Sequence, residues 1–155
     1  EIYQCDWSSD VCSSDLGMHR LAVAEAVDRM SEADLDLMRA ANERFAAAVA
    51  AGDTDAALSA DDDFHAVPVA TSGNRAIAAV LDQFSPVVRR LERLRFASEA
   101  ATESVTLHER LLEACARGDA TAASEVSFRT WQNLADLIPD PEPDPEPGTD
   151  QQETP

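Results

Sequence analysis

From His19 to about Ile138 the apolar positions recur every three or four residues, the period of an amphipathic α-helix. His19–Met30 is a first, short helix. "SEAD" at Ser31–Asp34 has the form of a capping box, and Leu35, Met38, Ala41, Phe45 and Val49 then make one stripe up to Gly52. "GDTD" at Gly52–Asp55 ends that helix and caps the next, which runs to about Thr71 with a bend expected at Pro68. "SGN" at Ser72–Asn74 is a tight turn. A helix over Arg75–Ala97 follows, with Ile77, Val80, Leu81, Phe84, Val87, Val88, Leu91 and Leu94 inward and a kink expected at Pro86. A loop carrying Ser98, Thr102 and Ser104 leads to a helix over Val105–Arg117. A second Gly-Asp pair, Gly118–Asp119, opens a last helix ending near Ile138, before Pro139.

Connections this short make neighbouring helices antiparallel, so the pattern predicts an all-α fold, an antiparallel bundle of about six helices. Only five glycines occur in 155 residues, and β-branched residues are thinly spread. Both agree with helix throughout.

Three polar-to-apolar imbalances change this picture. The formal charge is -18, and part of it sits in the Pro/acid tract "PDPEPDPEPGTDQQETP". Residues 139–155 are therefore expected to form a disordered tail, because such a tract buries too little apolar surface to offset its ordering entropy. The body is acidic as well, the wrong sign for a duplex-binding surface, so the chain as given is not expected to grip DNA by itself. No apolar run is long enough to span a membrane.

The opening "EIYQCDWSSDVCSSDLG" belongs to neither helix nor core pattern. It lacks the basic start and apolar run of a secretory signal. Cys5 and Cys12 have no partner pair at metal-site spacing. Translated backwards, Asp6–Leu16 resembles a common short-read sequencing adapter. Residues 1–16 are accordingly expected to be adapter-derived and without fold, with the domain at 17–138 N-terminally truncated. Cys115 is then the one remaining cysteine, which excludes a disulfide framework and makes a reducing cytoplasm the expected setting. It reads as a small core residue.

Candidate chemistry lies where polar residues interrupt apolar stripes. On the helix before Pro68 the stripe is Leu58, Asp61, His65 and Val69, which puts Asp61 and His65 at i and i+4 on the inward face. On the fifth helix it is His108, Leu111, Leu112 and Cys115. On the last it is Ala123, Val126, Thr130, Asn133 and Leu137. Buried polar groups need partners, and one carboxylate with two imidazoles suits Zn²⁺, Ni²⁺ or Mn²⁺. An i,i+4 Asp/His pair is also common on solvated helices, and Asp61 heads three consecutive aspartates. His19, beside the adapter-like stretch, is expected to be solvated. No Gly-rich phosphate loop or Ser/His/Asp order is present, and no catalytic residue is assigned.

"DDDFHAVPVATSGN" followed by "LHERLLEACARGDATAA" resembles the FCD domain, the effector-binding and dimerising half of FadR-type regulators in the GntR family. The resemblance covers roughly Leu21–Ile138. It implies a divalent metal (Zn, Ni or Mn) held by Asp61, His65 and His108, with Thr130 standing where the family has a further histidine. It also implies a small carboxylate effector completing the metal's coordination, a homodimer, and DNA contact through an N-terminal winged helix-turn-helix that this chain lacks. Arg89, Arg90 and Arg93 on the long helix, with Arg90 or Arg93 nearer the apolar face, and Asn74 and Thr130 are the candidates for contacting the effector, although each arginine also reads as an ordinary surface charge. The expected function is therefore that of a regulator's sensor domain, not an enzyme. The alternative is a small metal-dependent hydrolase or isomerase built on the same Asp/His/His set.

Overall fold

The computed structural model describes the backbone of residues 7–98 and 100–135, with side-chain surroundings from Gly17 onward. Among the described residues there are six α-helices and no strand: α1 (Trp7–Ala26), α2 (Glu32–Ala51), α3 (Thr54–Ser72), α4 (Arg75–Phe96), α5 (Ala101–Ala116) and α6 (Ala120–Ala135). The all-α bundle expected from the pattern is what forms. The expected tail, and the end of the last helix near Ile138, lie outside the described residues.

The helix boundaries follow local chemistry. At the start of α2, Asp34 Oδ2 accepts the Ser31 N–H at 2.8 Å while Ser31 Oγ accepts the Asp34 N–H at 3.3 Å, the reciprocal capping box. Both Gly-Asp pairs work alike. Gly52 and Gly118 take φ 68°, the left-handed conformation that ends a helix without a Cβ clash. The following aspartates then cap the next helix, Asp53 accepting from Ala56 N–H at 3.0 Å and Asp119 from Ala122 N–H at 2.9 Å.

Two elements differ from the pattern-based expectation. The first helix begins at Trp7, so the backbone of Trp7–Leu16 is helical where no fold was expected. Extending an existing helix adds a hydrogen bond for each residue fixed, and no proline interrupts this stretch. The helix ends at Ala26 and passes into a 3₁₀ turn, Val27–Arg29, instead of running on to Met30. The fifth helix begins at Ala101, so Thr102 and Ser104 are helical and not in a loop. Ser98 explains this, since its Oγ accepts the Ala100 N–H at 3.3 Å and its carbonyl the Ala101 N–H at 3.2 Å, compressing the connection.

In the bundle α1 packs on α6, α3 and α4, α2 on α3 and α5, α5 on α6, and α3 on α4. Phe45, Phe64, Met38, Leu58, Ile77 and Leu111 are among the largest fully buried side chains. Each such burial contributes about 1.5–3 kcal/mol relative to exposure. Cys115 joins Val23, Met38, Phe64 and Leu111 in one core cluster. Burial raises its thiol to about 11, so it stays protonated and inert. Leu94, expected inward on α4, is 62% exposed, and the inward positions on that half of the helix are Val88, Glu92, Arg95 and Phe96.

Candidate functional site

Asp61 and His65 lie one helical turn apart on α3 and both face inward, 4% and 5% exposed; His108, from α5, is 0% exposed. These positions are the ones their apolar stripes single out. Each of the three offers a ligand atom within 4.8 Å of the others', and among the described residues they form one group able to hold a metal ion. His108 Nε2 is 3.2 Å from Asp61 Oδ1, and His65 Nε2 is 3.9 Å from Asp61 Oδ2. Phe64 stacks on the His108 ring at 4.1 Å between centroids, and Phe45 packs on its other flank at 5.0 Å, so the imidazole cannot turn freely.

Asn42 on α2 completes the inner layer. Its Oδ1 is 3.0 Å from His108 Nδ1, and the residue is 7% exposed. With the N–H of His108 at Nδ1, donated to Asn42, Nε2 carries a lone pair directed into the cluster. That atom is buried and has no hydrogen-bonding partner among the described residues, despite the nearby carboxylate. A lone pair facing a carboxylate oxygen at that range is repulsive unless a cation or proton lies between them. The donor set and the orphaned nitrogen thus fit a divalent ion, and an outward N–H bonded to a carbonyl oxygen is the usual support for a metal-bound imidazole.

The electrostatics point the same way. Burial works against ionised Asp61, but the His65 and His108 imidazoles outweigh it and hold the carboxyl below its ordinary range. Burial lowers His65 to about 4, with Asp61 opposing. An ionised carboxylate beside a neutral His65 imidazole is the protonation state that binds metals.

Above the cluster is a cavity of about 190 Å³ lined by His19, Asp61, His65, Arg89, Glu92 and Trp131, among others. A chamber of about 20 Å³ adjoins the same carboxylate and is walled by Arg95, Ser104, Thr130 and Trp131. Thr130 therefore does come to the cluster, though its hydroxyl donates to the Val126 carbonyl at 3.0 Å.

Arg90, Arg93 and Asn74, also expected as effector contacts, are not brought there. Arg90 is exposed on α4, and Arg93 pairs on the surface with Asp55 at 2.8 Å. Asn74 caps α4 by accepting the Ala76 N–H at 3.2 Å and donates to Glu25 at 3.2 Å. Of the three expected arginines Arg89, paired with Asp62, is the one that lines the cavity, and Arg95, which was not expected, walls the small chamber beside it. Arg95 is 6% exposed and bonds Ser104 Oγ at 2.9 Å and the Asn133 carbonyl at 3.3 Å.

His19, expected to be solvated, is buried at 9% exposure. Its ring stacks on Trp131 at 4.1 Å and 13°. Asn42, Arg95 and His19 are thus the site residues that the stripes did not bring forward. Asn42 and Arg95 sit at helical spacing within apolar stripes, and that spacing was the available signal.

The family model for the FCD domain matches residues 17–133. No curated protein matches the chain. No described helix is long and apolar enough to cross a membrane.

Proposed function

The chain belongs to the FCD family, the effector-binding domain of GntR-type regulators, and from that premise we propose that it senses a small carboxylate metabolite through a divalent metal bound by Asp61, His65 and His108. The observation that carries this reading is the orphaned Nε2 of His108 beside the Asp61 carboxylate, which itself lines the cavity. Bound there, the ion supplies a Lewis-acidic centre for an anionic ligand. The chain's own residues do the rest. Asn42 accepts from the His108 ring, Phe64 and Phe45 fix that ring, and burial keeps the His65 imidazole neutral.

The cavity walls say why a carboxylate would need the ion. Asp61, Asp62, Asp82 and Glu92 all line the cavity with Arg89, and Arg89 is already paired with Asp62. A free anion would meet net negative charge and be repelled. On the favourable side, Trp131 lines the cavity and its buried Nε1–H has no acceptor among the described residues. An anionic ligand would supply one. At about 190 Å³ the cavity falls below the ~300 Å³ at which drug-sized pockets begin, so the occupant is a small acid and not an acyl chain.

Regulation would follow from population shift. An effector that binds one arrangement of a homodimer better than another biases that equilibrium, and the DNA-reading parts of an intact regulator are coupled to it. Calorimetric titration of chelator-treated protein with Zn²⁺, Ni²⁺ and Mn²⁺, followed by small carboxylic acids, tests the reading. Metal binding in the parent and none in His108→Ala is expected. A parent that binds no metal overturns it, and metal-dependent turnover of ester or amide substrates would favour the hydrolase reading instead.

A further inference from the structure

Thr130 leaves α6 without an imidazole for the cluster, yet the cavity is not short of one. The chain has three histidines, and the third, His19, lines the same cavity, although its nitrogens lie outside the group of Asp61, His65 and His108 ligand atoms that are within 4.8 Å of one another. His19 reaches it from α1, four helices away in sequence from His108. Its ring lies edge-on to His65, centroids 5.6 Å apart at 66°, and it lines the same cavity as Asp61 and His65. His65 and His108 are related in nearly the same way, at 5.0 Å and 80°. Two imidazoles sharing one tetrahedral ion, with metal–nitrogen bonds of about 2.0–2.1 Å, have centroids roughly 5 Å apart. Both pairs match that separation.

Trp131 explains how a ring from α1 could hold such a position. Its indole covers one face of His19 at 4.1 Å and also packs on His65 at 4.9 Å. A ring clamped by its face keeps its edge, which carries both nitrogens, clear of the indole. The α6 residue next to Thr130 thus serves as a platform for a histidine delivered from elsewhere. We propose that His19 is the fourth protein ligand of the metal site, in place of the side chain that Thr130 does not provide. The proposal rests on the metal reading above and extends it to this chain's own α1.

Because the chain has three histidines, counting metal-bound imidazoles tests it directly. Protein labelled with ¹⁵N at histidine is titrated with Zn²⁺, and long-range ¹H–¹⁵N spectra are recorded through the carbon-bound ring protons, which do not exchange. Three ring systems should move to metal-bound nitrogen shifts, with one of them missing in His19→Ala. Zn²⁺ affinity in His19→Ala should fall at least about tenfold, since losing even an outer-shell partner typically costs 10–100-fold. Far-UV circular dichroism in chelator checks that the variant is folded, and His19→Gln, closer in size, gives a second variant should alanine loosen α1. Two shifted rings in the parent, with His19 unmoved, overturns the proposal and leaves the metal reading standing. No shifted ring overturns both. An affinity loss in the variants without a shifted His19 ring in the parent makes His19 a packing residue and likewise overturns it.

Discussion

His108 Nε2 and Asp61 Oδ1 stand 3.2 Å apart, within range of a hydrogen bond but poorly aligned for one. On the far side of the ring, Asn42 Oδ1 accepts the Nδ1–H of His108 at 3.0 Å. An outer amide therefore sets the chemistry of the inner contact. Asn42→Leu removes that acceptor while keeping the volume. Divalent-metal affinity should fall about 10–100-fold, as measured by calorimetry. Asn42→Asp keeps an acceptor and should retain most of it. Equal affinity in Asn42→Leu and parent would mean that the tautomer is fixed by something else.

The metal-free protein should lose stability as pH falls from about 6.5 to 4. His65 is lowered in the folded state to about 4 from an ordinary value near 6.5. Between those values the unfolded chain takes up a proton that the folded chain refuses, so acid favours unfolding. The contribution is complete above about 6.5 and is lost on the way down. Asp61, held below its ordinary range, continues the same trend below about 4. Thermal melts in chelator across this range check it, and His65→Gln should flatten the upper part of the profile.

Carboxylate binding should depend on the metal. With Asp61, Asp62, Asp82 and Glu92 on the cavity wall, an acid added to chelated protein should give no thermal shift. The same acid with metal present should raise the midpoint by the amount that RT ln(1 + [L]/Kd) dictates. A shift of equal size with and without metal would make direct arginine or backbone contacts the main anchor.

Arg95→Met should destabilise the bundle by about 1–3 kcal/mol, the usual cost of stranding buried hydrogen-bond partners. Arg95 ties α4 to α5 through Ser104 and Glu103 and to α6 through the Asn133 carbonyl. Denaturant unfolding measures it. Arg93→Met, on the exposed face with Asp55, should stay within about 0.5 kcal/mol of parent.

Periodicity carried most of the fold and the three central residues. Asp61, His65 and His108 are legible because each falls on a stripe of leucines and valines, where a polar group demands a partner. Arg95 and Asn42 obey the same spacing. On α4 the inward run is Ile77, Val88, Glu92 and Arg95, with the apolar Leu94 turned to solvent. There, side-chain polarity pointed one way and helical phase the other, and phase won because the backbone fixes it. His19 could not be found this way. Its burial depends on Trp131, a contact between the first and last helices that no local pattern encodes.

The cluster draws on helices from one end of the chain to the other: α1 through His19, α2 through Asn42, α3 through Asp61 and His65, α5 through His108, and α6 through Trp131. None of these helices can swing away without pulling an atom out of the same small space. An occupant of that space would therefore act as a keystone, and amide protection would rise together in all five when it arrives. A domain wired in this way feels a single small guest throughout its framework, with no separate relay between pocket and periphery.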